Sequence, residues 1–570
     1  MNIKQYSKLF LAAGLLLGSQ SCKDLLDETP ISQVSDQYFN TRTGFEDASK
    51  AAYASFREYY GRESAMTLSV FGTDTYTMGA DGSYKFVNQY TSQLDGRVDI
   101  LRNTWNALYK AINLANAIVD RADKIADIDE ATKKRRVAEA KFIRAHHYFL
   151  LIQIWGPVHL TLTENTVATK EASRTPVPEI YAAITADLDA ALPDLPATVP
   201  GNEYGRATKG ACEHLMAKVY LTKATSEAAA ADDYAKAETH AQNVISKYNY
   251  KLLPDFAKVF EQGAGEINDE VIFATQYTSD PLTNIGPSYT NNGVETGTLV
   301  NGNQTHLYFG MEYDTQAGMQ RDVANGRPFK RFKPTDYTLN TVFALNNRVN
   351  DSRYSKTFKD VYLSNRPGKY TNLFDTSKKE VTFNAGDTAI FIPGYEMPLE
   401  ERAKKPYQVL VPSLYRANLF PALKKYFDPL RPDRTYEPGS RDFIVFRLAE
   451  TYLILAEAQL KQNKTAEAVS AINVVRRRAA FPGKESAMEI TPAQLTMEFI
   501  MEERERELLG EMHRWFDLKR WGVLIERVKL YNPDAKDNII ANKHELRPIP
   551  QDQIDRTAGG VEAFPQNPGY

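Results

Sequence analysis

The chain has 570 residues, 43% hydrophobic and 25% charged, with 69 Lys and Arg against 72 Asp and Glu. That balance excludes disordered, collagen-like and coiled-coil classes, and a net charge of −3 leaves no basic footprint for nucleic acid. Two cysteines, Cys22 and Cys212, are too few for a disulfide framework, and at ~150 residues per domain the chain has room for three or four domains.

At the N-terminus, Lys4 and Lys8 precede the apolar run Leu9–Gly18, and Ser19-Gln20-Ser21-Cys22 follows. A basic stretch, a short apolar core and small residues form a secretory signal; the run is well short of the ~20 residues that span a bilayer. A cysteine directly after small Ser21 turns that signal into a bacterial lipoprotein pattern, although Ser19 stands where Leu is usual. Residues 1–21 are therefore expected to be removed and Cys22 acylated. Acyl chains contribute about 0.8 kcal/mol per buried CH₂, so two or three make a stable anchor in outer-membrane lipid. Residues 22–40 then read as a tether.

Helical periodicity begins near Asp47–Tyr60. Leu101, Trp105, Leu108, Ile112, Ala115 and Val119 form one apolar stripe at three- and four-residue steps. Ala138, Phe142, Ala145, Phe149 and Ile152 repeat the pattern, which stops at Gly156-Pro157. Further helical patterns cover 178–192, 207–224 and 234–248, then 448–459, 468–475 and 491–509. Alanines on facing sides suggest stacked helix hairpins, and Ala456-Glu457-Ala458 with Ala466-Glu467-Ala468 and Ile472 looks like a tetratricopeptide unit without strict periodicity.

Two stretches break this pattern. Residues 61–97 hold glycines at 61, 72, 79, 82 and 96 among Asp and Tyr, and residues 263–440 are turn-dense with short β-like runs such as Val271–Ala274. Long irregular segments of this kind are usually functional loops. The chain divides accordingly into a helical region 41–262 carrying a ligand loop at 61–97, an irregular region 263–440, and a helical region 441–570.

Catalytic signatures are missing: there is no HExxH, GxSxG, GxGxxG or P-loop. His146-His147 are adjacent on a helix and diverge by ~100°, which reads as one packed and one exposed histidine and no metal site. Glu502–Glu507 alternates acid and base and reads as a salt-laced solvated helix face. Cys212 reads as a buried small hydrophobe. No cofactor and no metal is expected.

Four segments resemble the SusD/RagB family of outer-membrane nutrient-binding lipoproteins. They are Ala138–Ala145 running into Tyr148-Phe149 and Trp155-Gly156-Pro157-Val158; Phe446–Leu453 with Ala456-Glu457-Ala458; Glu502-Glu503-Arg504 through Arg514–Trp521; and Pro548-Ile549-Pro550-Gln551 with the tail Gln566–Tyr570. Asp351–Tyr354 and Lys425–Pro429 fit the same layout, so the resemblance spans nearly the whole mature chain. It implies a mainly α fold, a degenerate tetratricopeptide helix-pair scaffold with a large irregular, loop-rich ligand-binding half. It also implies capture of a nutrient, usually an oligosaccharide, at the cell surface, and delivery to a SusC-like TonB-dependent transporter.

Sugars present apolar C–H faces and polar rims, so aromatic platforms beside Asn, Asp, Gln and Arg suit them. In the first loop this points to Asp74, Tyr76, Tyr84, Phe86 and Asn88; in the second to Tyr289, Asn291 and Asn292, with Tyr308 and Tyr313 beyond. The four tryptophans read as structural. Three other readings remain open: a peptide-binding member of the same family, a surface lipoprotein glycoside hydrolase using carboxylates of the irregular half, and a purely structural tetratricopeptide adaptor.

Overall fold

The computed structural model describes residues 36–280, 289–291, 294–296, 302–375 and 379–570. Cys22 and Asn292 lie outside the described residues. The helices used below are α1 (Arg42–Ala54), α2 (Asp99–Arg121), α3 (Glu130–Trp155), α4 (Val177–Ala191), α5 (Lys209–Lys223), α6 (Asp233–Lys247), α7 (Leu448–Lys461), α8 (Thr465–Ala479), α9 (Met497–Leu508), α10 (Arg514–Arg520) and α11 (Leu524–Tyr531). The strands are β1 (Tyr76–Met78), β2 (Val271–Thr275), β3 (Phe332–Pro334), β4 (Val361–Leu363), β5 (Thr388–Phe391), β6 (Gln408–Val409) and β7 (Phe443–Arg447).

Successive helices pack as a continuous stack from α2 to α8. The starts are capped by short polar side chains: Asp129 Oδ1 accepts from Thr132 N at 2.9 Å ahead of α3, and Thr208 Oγ1 from Ala211 N at 3.2 Å ahead of α5. Gly156, at φ 72°, ends α3 before Pro157. On α2 the buried stripe is Leu101, Trp105, Leu108, Ile112, Ala115 and Ile118, with Val119 turned partly out. Between α6 and α7 the chain makes its long irregular excursion, yet those two helices pack directly together. Glu238 of α6 joins them, accepting from Gln459 Nε2 at 3.2 Å and Gln462 Nε2 at 2.8 Å. The irregular half is thus an insertion into the helix stack.

That insertion is tied down in two ways. Strand β2 pairs antiparallel with β7, which runs straight into α7. Around them lies a buried ion-pair network. Arg447 reaches Glu270, Glu507 and Glu511 at 3.1, 2.6 and 2.7 Å, and Arg353, fully buried, reaches Asp351, Glu503 and Glu507 at 2.7, 2.9 and 3.1 Å. Burial by itself would raise Glu507, but Arg478, Arg447 and Arg353 outweigh it and hold its carboxyl down at about 2. The insertion also has its own core, with Tyr313, Tyr362, Ile390, Leu410 and Phe420, beside a sheet in which β5 is antiparallel to β4 and parallel to β6.

Two expectations are corrected here. Helix α9 is no solvated face: Glu503, Arg504, Glu505, Arg506 and Glu507 are all buried, because the arginines of β7, α8 and residue 353 converge on it. His146 and His147 are both buried, since α3 is covered on every side along its second half. His146 Nε2 lies 2.6 Å from Tyr60 Oη, and His147 Nδ1 lies 2.7 Å from the Ile143 carbonyl. Cys212 is buried, and burial pushes its thiol up. Trp105, Trp155 and Trp515 are core residues, and half-buried Trp521 donates to Glu457 at 2.8 Å.

Candidate ligand-binding site

The first loop is far less open than its composition suggests. Its strand β1 pairs antiparallel with β3, in the register Tyr76 with Pro334, Thr77 with Lys333 and Met78 with Phe332. Side chains alternate across a strand, so Tyr76 and Phe332 turn into the core while Thr77 and Lys333 share the opposite face.

On that face a cleft of about 270 Å³ opens between β1, β3, the residues after β3 and the end of α11. Its wall is an aromatic pair: Tyr337 and Tyr531 stack with centroids 4.1 Å apart and planes 28° from parallel. Arg527 lies against both rings, 4.8 and 5.1 Å from their centroids, a cation–π arrangement that fixes the pair. The buried Tyr337 hydroxyl has no hydrogen-bond partner among the described residues. Lys333, Asp336 and Lys536 line the rim, and none of them is ion-paired among the described residues. Tyr337 is itself buried, so the ring face left to the cleft is that of half-buried Tyr531, backed by Tyr337; an aromatic face beside polar side chains is what a hydroxylated ring requires of a protein.

The sequence-predicted residues hold this cleft up more than they line it. Asp74 is fully buried and carries Arg514 and Arg527, with Arg527 Nε 2.6 Å from Oδ2. Burial would raise the Asp74 carboxyl, and the two guanidiniums reverse that and lower it. Asp74 therefore positions the arginine that positions the tyrosines. Asn88, also fully buried, accepts from Asn532 Nδ2 at 3.1 Å and from Gly72 N at 3.0 Å, and its Nδ2 donates to Thr77 Oγ1 at 3.3 Å. It fastens the turn after α11 to β1.

Tyr76 packs edge-on to Phe309 in the core. Tyr308 is buried, its hydroxyl donating to Gln304 Oε1 at 3.0 Å. Tyr313 is buried in the insertion's core, stacked on Tyr362 and donating to the Gly326 carbonyl at 2.7 Å. These four buried side chains, Asp74, Tyr76, Tyr308 and Tyr313, are corrected from ligand-facing to structural, and buried Asn88 becomes a support. Residues Tyr289–Asn291 form a strand paired with Val294–Thr296; the side chains of Tyr289 and Asn291, like Asn292, are outside what is described.

Tyr84 and Phe86 are the two first-loop aromatics that stay half-exposed, edge to face at 6.1 Å. Tyr84 sits at φ 52° and Tyr90 at 53°, on either side of the single helical turn Lys85–Gln89. Left-handed backbone at a bulky residue costs roughly 1–3 kcal/mol and collects at ligand-facing positions. Sequence reasoning missed Tyr337, Tyr531, Lys333, Asp336 and Lys536. Their signal was present in Thr335-Asp336-Tyr337 and Tyr531-Asn532-Pro533-Asp534, polar turns carrying a tyrosine, but the second fell in a region assigned to scaffold.

Comparison with known proteins agrees with this architecture. Residues 269–570 match the SusD family model, and residues 24–221 match a model described as starch-binding associating with outer membrane. A SusD-like protein P2 of Formosa agariphila is 27% identical, each chain covered in full. The starch-binding protein SusD of Bacteroides thetaiotaomicron is 25% identical across 79% of this chain and 75% of its own. Among solved structures, a laminarin-binding SusD-like protein superposes with a TM-score of 0.67 at 21% identity, covering 93% of this chain and all of that one.

Proposed function

The chain belongs to the SusD family, and on that premise we propose that it captures an oligosaccharide at the cell surface and passes it to a SusC-like TonB-dependent transporter in the outer membrane. The observation that carries the ligand class is the cleft at Tyr337 and Tyr531, an arginine-braced tyrosine pair edged by Lys333, Asp336 and Lys536, which make no ion pair among the described residues. Relatives described as starch-binding and laminarin-binding support the same class. A binding role is supported by the fate of the acidic run on α9, where Glu503 and Glu507 are buried against arginines. Near-neutral overall charge favours a neutral glycan over a polyanion.

The reading is tested by calorimetric titration of the mature chain with neutral oligosaccharides of starch, laminarin, xylan and mannan, each also against Tyr531→Ala. Binding near a micromolar corresponds to about −8 kcal/mol and leaves room for release. Tyr531→Ala is expected to weaken it at least tenfold; binding of a peptide pool and of no glycan would move the function to peptide uptake. Anchoring through acylated Cys22, which follows the apolar run Leu9–Gly18 and small Ser21, completes the proposal. Cys22→Ala should leave the membrane fraction, and continued retention there would remove the lipid anchor.

A further inference from the structure

A larger cleft, of about 500 Å³, lies between α1, the loop Asn202–Arg206 and the end of β2. Tyr53 and Tyr204, both half-buried, line it. Each ring is tethered at its hydroxyl: Tyr53 Oη accepts from Ala207 N at 2.9 Å, and Tyr204 Oη donates to the Glu266 carbonyl at 3.0 Å. Arg206 covers Tyr53 at 5.2 Å, but no ring or cation stacks on Tyr204 among the described residues. Thr275, 4% exposed, also lines the cleft, and its buried hydroxyl has no hydrogen-bond partner among the described residues. A buried hydroxyl normally finds a partner, so this one is left for a ligand atom or for water.

Charge narrows the ligand. Lys50 pairs with Asp47 at 3.0 Å, Arg136 with Glu46 at 3.0 Å, and Arg206 with Glu139 at 2.6 Å. Arg57 Nε donates to the Gln276 carbonyl at 2.7 Å. Three of the cleft's four cations are thus matched by carboxylates of the chain, and the fourth, Arg57, is held by the Gln276 carbonyl. What stays available is an unstacked tyrosine, a free hydroxyl and the exposed amide of Gln276, groups that suit a neutral hydroxylated ring.

We propose that the Tyr53–Tyr204 cleft is a second binding site for neutral glycan, separate from the cleft at Tyr337 and Tyr531. This rests on the reading of the protein as a glycan binder. The test is calorimetric stoichiometry of the full mature chain with maltoheptaose, laminarihexaose, xylohexaose and mannohexaose, followed for any sugar that binds by Tyr204→Ala, Thr275→Val and Tyr531→Ala. Two equivalents per chain are expected, falling to one in Tyr204→Ala and, separately, to one in Tyr531→Ala. Thr275→Val, which conserves shape, should weaken one equivalent by 3- to 10-fold, and it serves as the readout if Tyr204→Ala does not fold. One equivalent, lost in Tyr531→Ala and untouched by Tyr204→Ala and Thr275→Val, overturns the second site alone. Absence of binding by all four sugars overturns the glycan reading and this inference with it.

Discussion

Arg514 clasps Asp74 at two points, Nε 2.7 Å from Oδ1 and Nη2 2.6 Å from Oδ2, although 440 positions separate them in sequence. Arg527 adds a third contact, so one buried carboxylate joins the first loop to α10 and α11. It also connects stability to the site, because Arg527 is the cation stacked on Tyr337 and Tyr531.

Asp74→Asn leaves two buried guanidiniums facing a neutral amide. Breaking a buried pair from one side costs about 3–5 kcal/mol, so calorimetry should show a clear fall in melting temperature. Arg527→Lys keeps the charge but loses the planar stack. It should cost less stability and weaken glycan binding roughly 2- to 5-fold, since a cation–π contact of this kind is worth ~0.5–1 kcal/mol. Unchanged affinity in Arg527→Lys would break the connection between clasp and cleft.

The tyrosines that look like ligand platforms in sequence should behave as core. Tyr308→Phe removes one hydrogen bond and Tyr313→Phe two, since the Tyr313 hydroxyl also accepts from Asp322 N at 3.1 Å; at about 1 kcal/mol each, both should leave affinity unaltered. Tyr313→Ala also loses its stack on Tyr362 and should cost ~3–5 kcal/mol. A tenfold affinity loss with an unchanged melting curve in either Phe variant would return that residue to the site.

The helix stack was legible because burial on one side of a helix writes itself into three- and four-residue steps, as on α2. The loop 61–97 was misread for a physical reason. Gly, Asp, Asn and Tyr form both open loops and tightly bonded turns, and what separates them here is Arg514, Arg527 and Asn532, more than 400 positions away. Sequence distance also hid the cleft, whose tyrosines come from residues 337 and 531. Burial of α9 was hidden because alternating acid and base reads alike on a solvated face and in an ion-pair network; what decides it are Arg353, Arg447, Arg476 and Arg478, which come from other elements.

Gly79 should be a sensitive position for ligand binding without touching ligand. Its N donates to the Arg331 carbonyl at 2.8 Å, extending the pairing of β1 with β3. A Cβ there would overlap the Lys330 carbonyl oxygen and come within 3.0 Å of that of Ala417. Gly79→Ala must therefore part the ribbon, at a cost of ~1–3 kcal/mol. Hydrogen exchange should speed at Gly79 while α2 and α3 stay protected, and glycan affinity should fall. Unchanged exchange at Gly79 would show that the ribbon accommodates the methyl group.

Glu505 predicts an inverted pH response. Its side chain is buried, with Arg514 Nε 3.5 Å from one oxygen and, among the described residues, no hydrogen-bond partner for the other. Burial pushes its carboxyl up to about 7 against the pull of Arg514, and Asp74 adds to the rise. An unfolded glutamate titrates near 4.3, so the folded state holds this proton more tightly. Its contribution to stability is complete below about pH 4 and is lost as pH rises through about 7. Glu507, held down at about 2, does the opposite and loses its contribution as pH falls from about 4 towards 2. Glu505→Gln should match the parent's melting temperature near pH 4 and exceed it at pH 8, by an amount equivalent to about 4 kcal/mol. In an Asp74→Asn background the gap should narrow, because one of the charges raising Glu505 is gone. Parallel melting curves for parent and Glu505→Gln from pH 4 to 8 would mean that Glu505 is ionised throughout and that Arg514 neutralises it.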